Sequence, residues 1–344
     1  MAPLGNELTK STPDGKWNFM KRRKFGMAIS AHERDCKKFT YQDKAIVKGD
    51  LERLSSNLTN TLMNFIGSSE NGLGTETSDI DVILHLSNDN VMMSFNKILQ
   101  TAGNLEGGFK LKTYVRKARV PVIRLVHCRT NIEVDITFDS PSARRQAALQ
   151  NTKLIRIYVT NNPIIRKLYL FIKLIFDYKP LFTTKLGGLS SYTHSLVIIY
   201  FFINKMGIPL LDVTTLKELN SGAKSFSPAE VVMKYLHFIM DEFAYLTLDV
   251  RQVDSNVKCD CENYQIEDDC FDDQYLIIKD PFENRDLAKN FTKKNLEIFR
   301  NLAEEWIDYF NNHTKGILIQ QIKHDVPEIV KKAVEAYNPC RGYY

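Results

Sequence analysis

Asp79 and Asp81, separated by Ile80 and running into Val82-Ile83-Leu84, have the residue types and spacing of a metal-holding pair. Along a strand successive side chains alternate faces, so the two carboxylates share one face while Ile80 points into a core. Two adjacent carboxylates repel each other and need a compensating cation. Hard oxygen ligands on a short spacing suit Mg²⁺, which leaves room for phosphate oxygens. Ahead of this pair, across ten intervening residues, stands Gly67-Ser68, a tight turn with a hydroxyl. A short helix starting there would aim backbone N–H groups at an anion. A phosphate cradle followed by a carboxylate pair reads as nucleotide chemistry. Further on, Ile132-Glu133-Val134-Asp135-Ile136 alternates cleanly, with the isoleucines and valine on one face and Glu133 and Asp135 on the other. A carboxylate from that strand could complete the site.

The elements that must position these groups can be read from hydrophobic spacing. Residues 40–62 have helical periodicity (Ile46, Leu51, Leu54, Leu58, Leu62) and deliver the chain to the Gly-Ser turn. Residues 87–102 read as a helix, and 112–118, 120–127 and 131–138 as strands. From Asn151 the pattern turns helical, with apolar stretches at 164–178 and 192–206 and amphipathic ones at 229–246 and 290–311. The expectation is an α+β fold: a small mixed sheet with helices over 63–150, then a mainly helical domain over 151–335. Residues 1–39 read as a flexible basic lead-in, and the helix of 40–62 as an element that joins the helical domain.

The chain has 344 residues and a net charge of +5. That figure conceals a polarity. Residues 254–273 carry eight acids against one lysine, a net of −7, which leaves +12 on the remainder and suits a polyanion such as RNA. The acidic stretch also holds Cys259, Cys261 and Cys270, without the paired Cys-x₂₋₄-Cys spacing of a structural zinc site. It reads as an exposed insertion. The polar N-terminus and the shortness of every apolar run give no expectation of a signal peptide or membrane span. Reduced thiols in a cytosolic or nuclear setting, with a cytoplasmic location foremost, are the reading for the six cysteines.

With these residues in order, the chain resembles the nucleotidyltransferase superfamily, and within it the template-independent RNA tailing enzymes: cytoplasmic-type poly(A) polymerases and terminal uridylyltransferases. The resemblance spans roughly residues 40–310. Ala118-Arg-Val-Pro-Val-Ile-Arg-Leu125 is similar to the family's strand before its third carboxylate, which would be Asp135. Asn151-Thr152, then Lys173, then Ser190-Ser191-Tyr192 follow at the family's spacing, and Ile278-Lys-Asp-Pro-Phe-Glu283 resembles its C-terminal signature loop. The resemblance implies a nucleotidyltransferase palm and a helical central domain with the active site in the cleft between them. It implies Mg²⁺ (or Mn²⁺) held by Asp79, Asp81 and Asp135, which are catalytic in that family. It implies triphosphate contacts from Gly67, Ser68, Lys173 and Ser191, a base stacked on Tyr192, and sugar and base contacts from Asn151 and Thr152. The partners implied are an NTP and an RNA 3′ end; with no accessory RNA-binding module recognisable in the sequence, target choice is expected from protein partners or from the basic grooves themselves.

Two positions depart from the family pattern. The second basic residue expected one helical turn after Lys173 is Asp177, so Lys179 or Lys185 substitutes or fewer cations serve. No histidine follows the Asp280-Pro-Phe signature. The base-reading position falls on Asp286 ungapped, or on Arg285 with one deletion, and the resemblance adds Asp280 and Glu283 of the same loop as nucleotide contacts. An arginine would donate to carbonyl acceptors of uracil or guanine, and an aspartate would accept from the amino group of adenine or cytosine. UMP, AMP and mixed tails containing G remain open. The competing reading from another class is a catalytically inactive relative that binds RNA or scaffolds partners. A third keeps the fold but uses a small-molecule or protein acceptor.

Overall fold

In the computed structural model, the described residues are 19–38, 41–56, 61–75, 77–87, 91–102, 108–115, 121–139, 146–216, 225–244, 246–253, 275–313 and 318–337. The acidic stretch 254–273 lies outside them. Among the described residues, ten α-helices and seven strands follow in order: α1 (Phe19–Lys38), α2 (Tyr41–Ser56), β1 (Thr61–Ile66), α3 (Ser68–Asn71), β2 (Ile80–Leu86), α4 (Val91–Ala102), β3 (Phe109–Val115), β4 (Val122–His127), β5 (Glu133–Asp139), α5 (Gln146–Asn161), α6 (Pro163–Ile175), α7 (Ser191–Met206), α8 (Pro228–Asp241), β6 (Leu246–Leu248), β7 (Leu276–Ile278), α9 (Lys293–Asn312) and α10 (Ile319–Glu335). None of the described helices is long and apolar enough to cross a membrane.

The first five strands make one mixed sheet in the order β1-β2-β5-β4-β3, with β2 and β5 parallel and the other pairs antiparallel. Alternation in β2 and β5 buries Ile80, Val82, Leu84, Val134 and Ile136 in a core beneath the sheet. The opposite face is left for the acids. A second, larger core unites α1 and α5–α10 around aromatic residues such as Phe171, Phe201, Phe299 and Trp306. The short parallel pair β6–β7 brackets the acidic stretch and carries the chain to the Asp280 loop.

Two expectations are exchanged. Residues 19–38 form a packed helix: Phe25 is buried in the helical core, 5.6 Å edge-on to Phe171 and 4.6 Å from Phe310 between ring centroids. Conversely, α2 buries Val47, Leu51 and Leu54 against the sheet and not against the helical domain. The borrowed element is therefore α1. An amphipathic stripe shows that a helix needs cover but not which surface provides it. The helix expected through residue 62 ends at Ser56, and 61–66 become edge strand β1 with Leu62 exposed. The domain boundary expected at 150 falls inside α5. Through this helix the two cores meet: Thr152 Oγ1 accepts a hydrogen bond from the Gly67 N–H at 3.0 Å.

Candidate active site

The parallel register of β2 and β5 sets Asp81 directly beside Asp135. Asp79 lies one residue before β2, and ligand oxygens from all three carboxylates lie within 4.8 Å of one another. Burial, and then the negative charges of Asp79 and Asp135, push the Asp81 carboxyl up to about 7. Burial and Asp135 also raise Asp79. Three half-buried carboxylates held this close are unfavourable without a cation, and this donor set of hard oxygens fits a divalent metal.

Gly67 makes the arrangement sterically allowed. Its φ of +69° lies in the left-handed region, and a Cβ there would stand 2.2 Å from Asp81 Oδ2. Gly67 caps α3, so Ser68 begins that short helix beside the carboxylates, as the Gly-Ser turn led us to expect. The loop that follows is held from the helical side. Arg166 on α6, itself paired with Glu33 of α1, donates to the carbonyls of Gly72 and Gly74. Gly74 packs under the Ser68 carbonyl, where a Cβ would stand only 2.7 Å from the oxygen.

Between the palm sheet and the helical domain lies a cavity of about 810 Å³. Gly67, Ser68, Asp79 and Asp81 line it from one side, and Asn151, Thr152, Lys173, Ser191 and Tyr192 from the other. Lys173 is exposed on an otherwise largely buried face of α6, and it is the cavity's one cationic wall residue among those described. Lys179 and Lys185 do not line it. Ser190 caps α7 by accepting the Thr193 N–H at 3.1 Å, which frees Ser191 to face the cavity, where it hydrogen-bonds with Tyr169. Tyr192 donates its hydroxyl to Asn151 Oδ1 at 2.6 Å, so the expected base and sugar contacts are coupled to each other. Burial raises the Tyr192 phenol, and the nearby Asp280 carboxylate adds to this.

The four residues expected around the base do not line the cavity. Asp280 is buried and organises its own loop, accepting the N–H groups of Phe282 and Glu283 through Oδ1 and the Arg285 guanidinium through Oδ2. Arg285 also pairs with Glu283 at 2.9 Å. Asp286 Oδ1 accepts the N–H groups of Ile278 and Ala288, at 2.9 Å each. Both base-reading candidates are thus engaged within the loop, which reaches the site through its charges beside Tyr192.

Sequence reasoning missed two cations. Lys44 on α2 is buried, donates to the Thr75 carbonyl at 2.7 Å, and feels the charges of Asp79 and Asp81. Burial lowers its ammonium while Asp79 opposes that shift. Arg124 on β4 grips Asp135 with Nε and Nη2 at 2.6 and 2.5 Å. Arg124 stood in the quoted strand motif, and antiparallel pairing of the strands at 120–127 and 131–138 could have placed it opposite Asp135. Nothing in the sequence linked Lys44 to the aspartates.

Residues 27–160 match the family described as the central palm domain of mitochondrial-like poly(A) RNA polymerases. Among curated relatives, the chain is 27% identical over 169 residues to human terminal uridylyltransferase 7, covering 48% of this chain and 11% of that protein. It is 30% identical over 142 residues to the poly(A) RNA polymerase cid11 of Schizosaccharomyces pombe, covering 39% and 27%. It is 27% identical over 153 residues to the terminal uridylyltransferase cid1 of that yeast, covering 42% and 35%. The matched stretch thus spans from about a tenth to a third of these relatives' lengths. Solved structures of Cid1 with its product ApU and with the UTP analogue UMPNPP each superpose with a TM-score of 0.71 at 18% identity, covering 88% of this chain and 99% of theirs. The fold is that of a nucleotidyltransferase palm joined to a helical domain.

Proposed function

We propose that this chain, which carries the palm and helical domains shared with poly(A) RNA polymerases and terminal uridylyltransferases, adds ribonucleotides without a template to RNA 3′ ends. The observation that carries the reading is the convergence of Asp79, Asp81 and Asp135, the first two of them lining a cavity whose other wall presents Lys173, Ser191 and Tyr192. The intact triad supports this reading over an inactive scaffold.

Asp79, Asp81 and Asp135 would hold Mg²⁺. When bound, the metal lowers the pKa of the attacking 3′-hydroxyl and neutralises charge on the pyrophosphate leaving group. The protein's remaining task is positioning. Ser68, Ser191 and the Lys173 ammonium present hydroxyls and a positive charge to the triphosphate. Tyr192 would offer its ring to the base, and Asn151, oriented by the Tyr192 hydroxyl, would reach the ribose. The nucleotide added is UMP or AMP, in tails that can include G. A cytoplasmic setting and protein partners that choose the RNA belong to the same proposal. One structural neighbour is described as a cytoplasmic RNA terminal U-transferase.

The test is to incubate the protein with a short RNA, Mg²⁺ and each NTP separately, then sequence the products. Extension by UTP or ATP that disappears in Asp79→Ala supports the proposal. No addition with any NTP, or extension that survives that substitution, overturns it.

A further inference from the structure

On the cavity side of the sheet, four charged side chains from three adjacent strands form one ladder. Arg124 on β4 is the register partner of Asp135 on β5 and holds it with both arms of its fork. The same guanidinium stands 3.8 Å from Glu133 Oε2, and Glu133 lines the cavity. Lys112 on β3 pairs with Glu133 in turn. The ladder therefore runs from a metal-binding carboxylate to the open edge of the sheet, since β3 is an edge strand. Its two cations are well exposed, Arg124 at 39% and Lys112 at 47%.

Asp135 has two claimants. A metal coordinated by its oxygens competes with the Arg124 fork for the same lone pairs. A guanidinium displaced from Asp135 cannot shed its charge by losing a proton. It must find another anion or stay in water. Arg forks suit phosphate oxygens, and backbone phosphates are the usual anchors of a nucleic-acid strand. An acceptor whose 3′ end reaches Asp135 brings such phosphates to this face of the sheet.

We infer that Arg124 is an exchange residue: it pairs with Asp135 in the metal-free protein and takes a backbone phosphate of the RNA acceptor when metal occupies the triad, with Lys112 extending the track. The inference rests on the RNA-tailing reading. Metal and acceptor then favour each other's binding, and the coupling is reciprocal because it is an equilibrium linkage.

The experiment measures binding of a fluorescent, unstructured oligoribonucleotide ending in a 3′-deoxy nucleotide, without NTP, at matched ionic strength with and without Mg²⁺. In the wild type, Mg²⁺ tightens RNA binding at least about fivefold, the lower end of typical couplings. In Arg124→Gln that gain falls below about twofold, although the carboxylates that Mg²⁺ neutralises are all still present. Glu133→Gln removes the competing carboxylate without touching the triad and tightens RNA binding both with and without Mg²⁺. A folded Arg124→Gln that keeps the full Mg²⁺ gain overturns the inference. So does an unchanged affinity in Glu133→Gln, which decides the matter if Arg124→Gln does not fold. A wild type that extends RNA yet binds it equally with and without Mg²⁺ also overturns it. A wild type that extends no RNA overturns the tailing reading itself, a separate failure.

Discussion

Gly67 and Asp81 compete for one volume: the position a Gly67 Cβ would occupy is 2.2 Å from Asp81 Oδ2. The glycine follows the edge strand whose last residue, Ile66, is the register partner of Asp81, so the turn and the proposed metal ligand are built against each other.

Gly67→Ala is therefore expected to displace Asp81 or the turn while leaving both cores intact. A misplacement of the order of 1 Å at a reacting centre costs about 100-fold in rate. Primer-extension kinetics beside a thermal melt will show whether activity falls by that order in a protein that still unfolds cooperatively.

Asp81→Asn separates function from stability. The folded-state carboxyl of the wild type is raised to about 7, above its unfolded value, so its contribution is fully present below about pH 4 and lost as pH rises through 7. Above pH 7 the metal-free wild type holds a buried, repelled charge that the amide lacks. The variant should be inactive yet more stable than metal-free wild type at pH 8 by roughly 2–4 kcal/mol. Chemical denaturation in EDTA at pH 5 and pH 8 measures this. Equal stabilities of the two proteins at pH 8 would contradict the repulsion.

The same raised carboxyl makes metal binding compete with protons. Below pH 7 the Mg²⁺ concentration giving half-maximal protection against thermal unfolding should climb, by up to about tenfold per pH unit. A titration that gives the same midpoint at pH 6 and pH 8 is incompatible with this picture.

Tyr192 donates its hydroxyl to Asn151, and in the proposed reading its ring stacks on the base. Tyr192→Phe keeps the ring and should alter the KM for NTP only a few-fold. Tyr192→Ala loses stacking worth about 1–3 kcal/mol, a rise in KM of roughly five- to 150-fold. Steady-state kinetics on both variants discriminate stacking from helix packing, in which case melting temperature would fall without a KM effect.

Acid stability has a source in the core behind the site. His194 is fully enclosed, hydrogen-bonds the Leu181 carbonyl at 3.1 Å, and is held down to about 4 by burial. Its folded value is depressed below the unfolded one. Its contribution is thus complete above about pH 6.5 and is lost as pH falls through 4, amounting to roughly 3 kcal/mol. His194→Gln, neutral throughout, should show a flatter stability profile between pH 7 and pH 4 than the wild type. Urea melts across that range check it.

What the sequence determined by itself was the candidate acids and the local elements. Asp79-Ile80-Asp81 put two acids on one side of the chain, and the alternation through Asp135 set that acid beside Glu133 on the polar side of its own strand, because strand periodicity is a property of the backbone. The Gly-Ser turn and the apolar helices around Lys173 and over 192–206 were legible too, because helical periodicity is likewise a property of the backbone. The tertiary structure decided who meets whom. It gave α1 to the helical core and α2 to the sheet, although both carry apolar stripes. It used Ser190 as the cap so that Ser191 could face the cavity. It turned Asp286 and Arg285 back onto their own loop, taking the two candidate base readers out of the cavity wall. It also brought Lys44 beside the aspartates and Arg124 onto Asp135. Apolar periodicity records that a surface must be covered and on which side. The identity of the cover, and the partner a buried charge finds, are set only when distant segments compete for the same space.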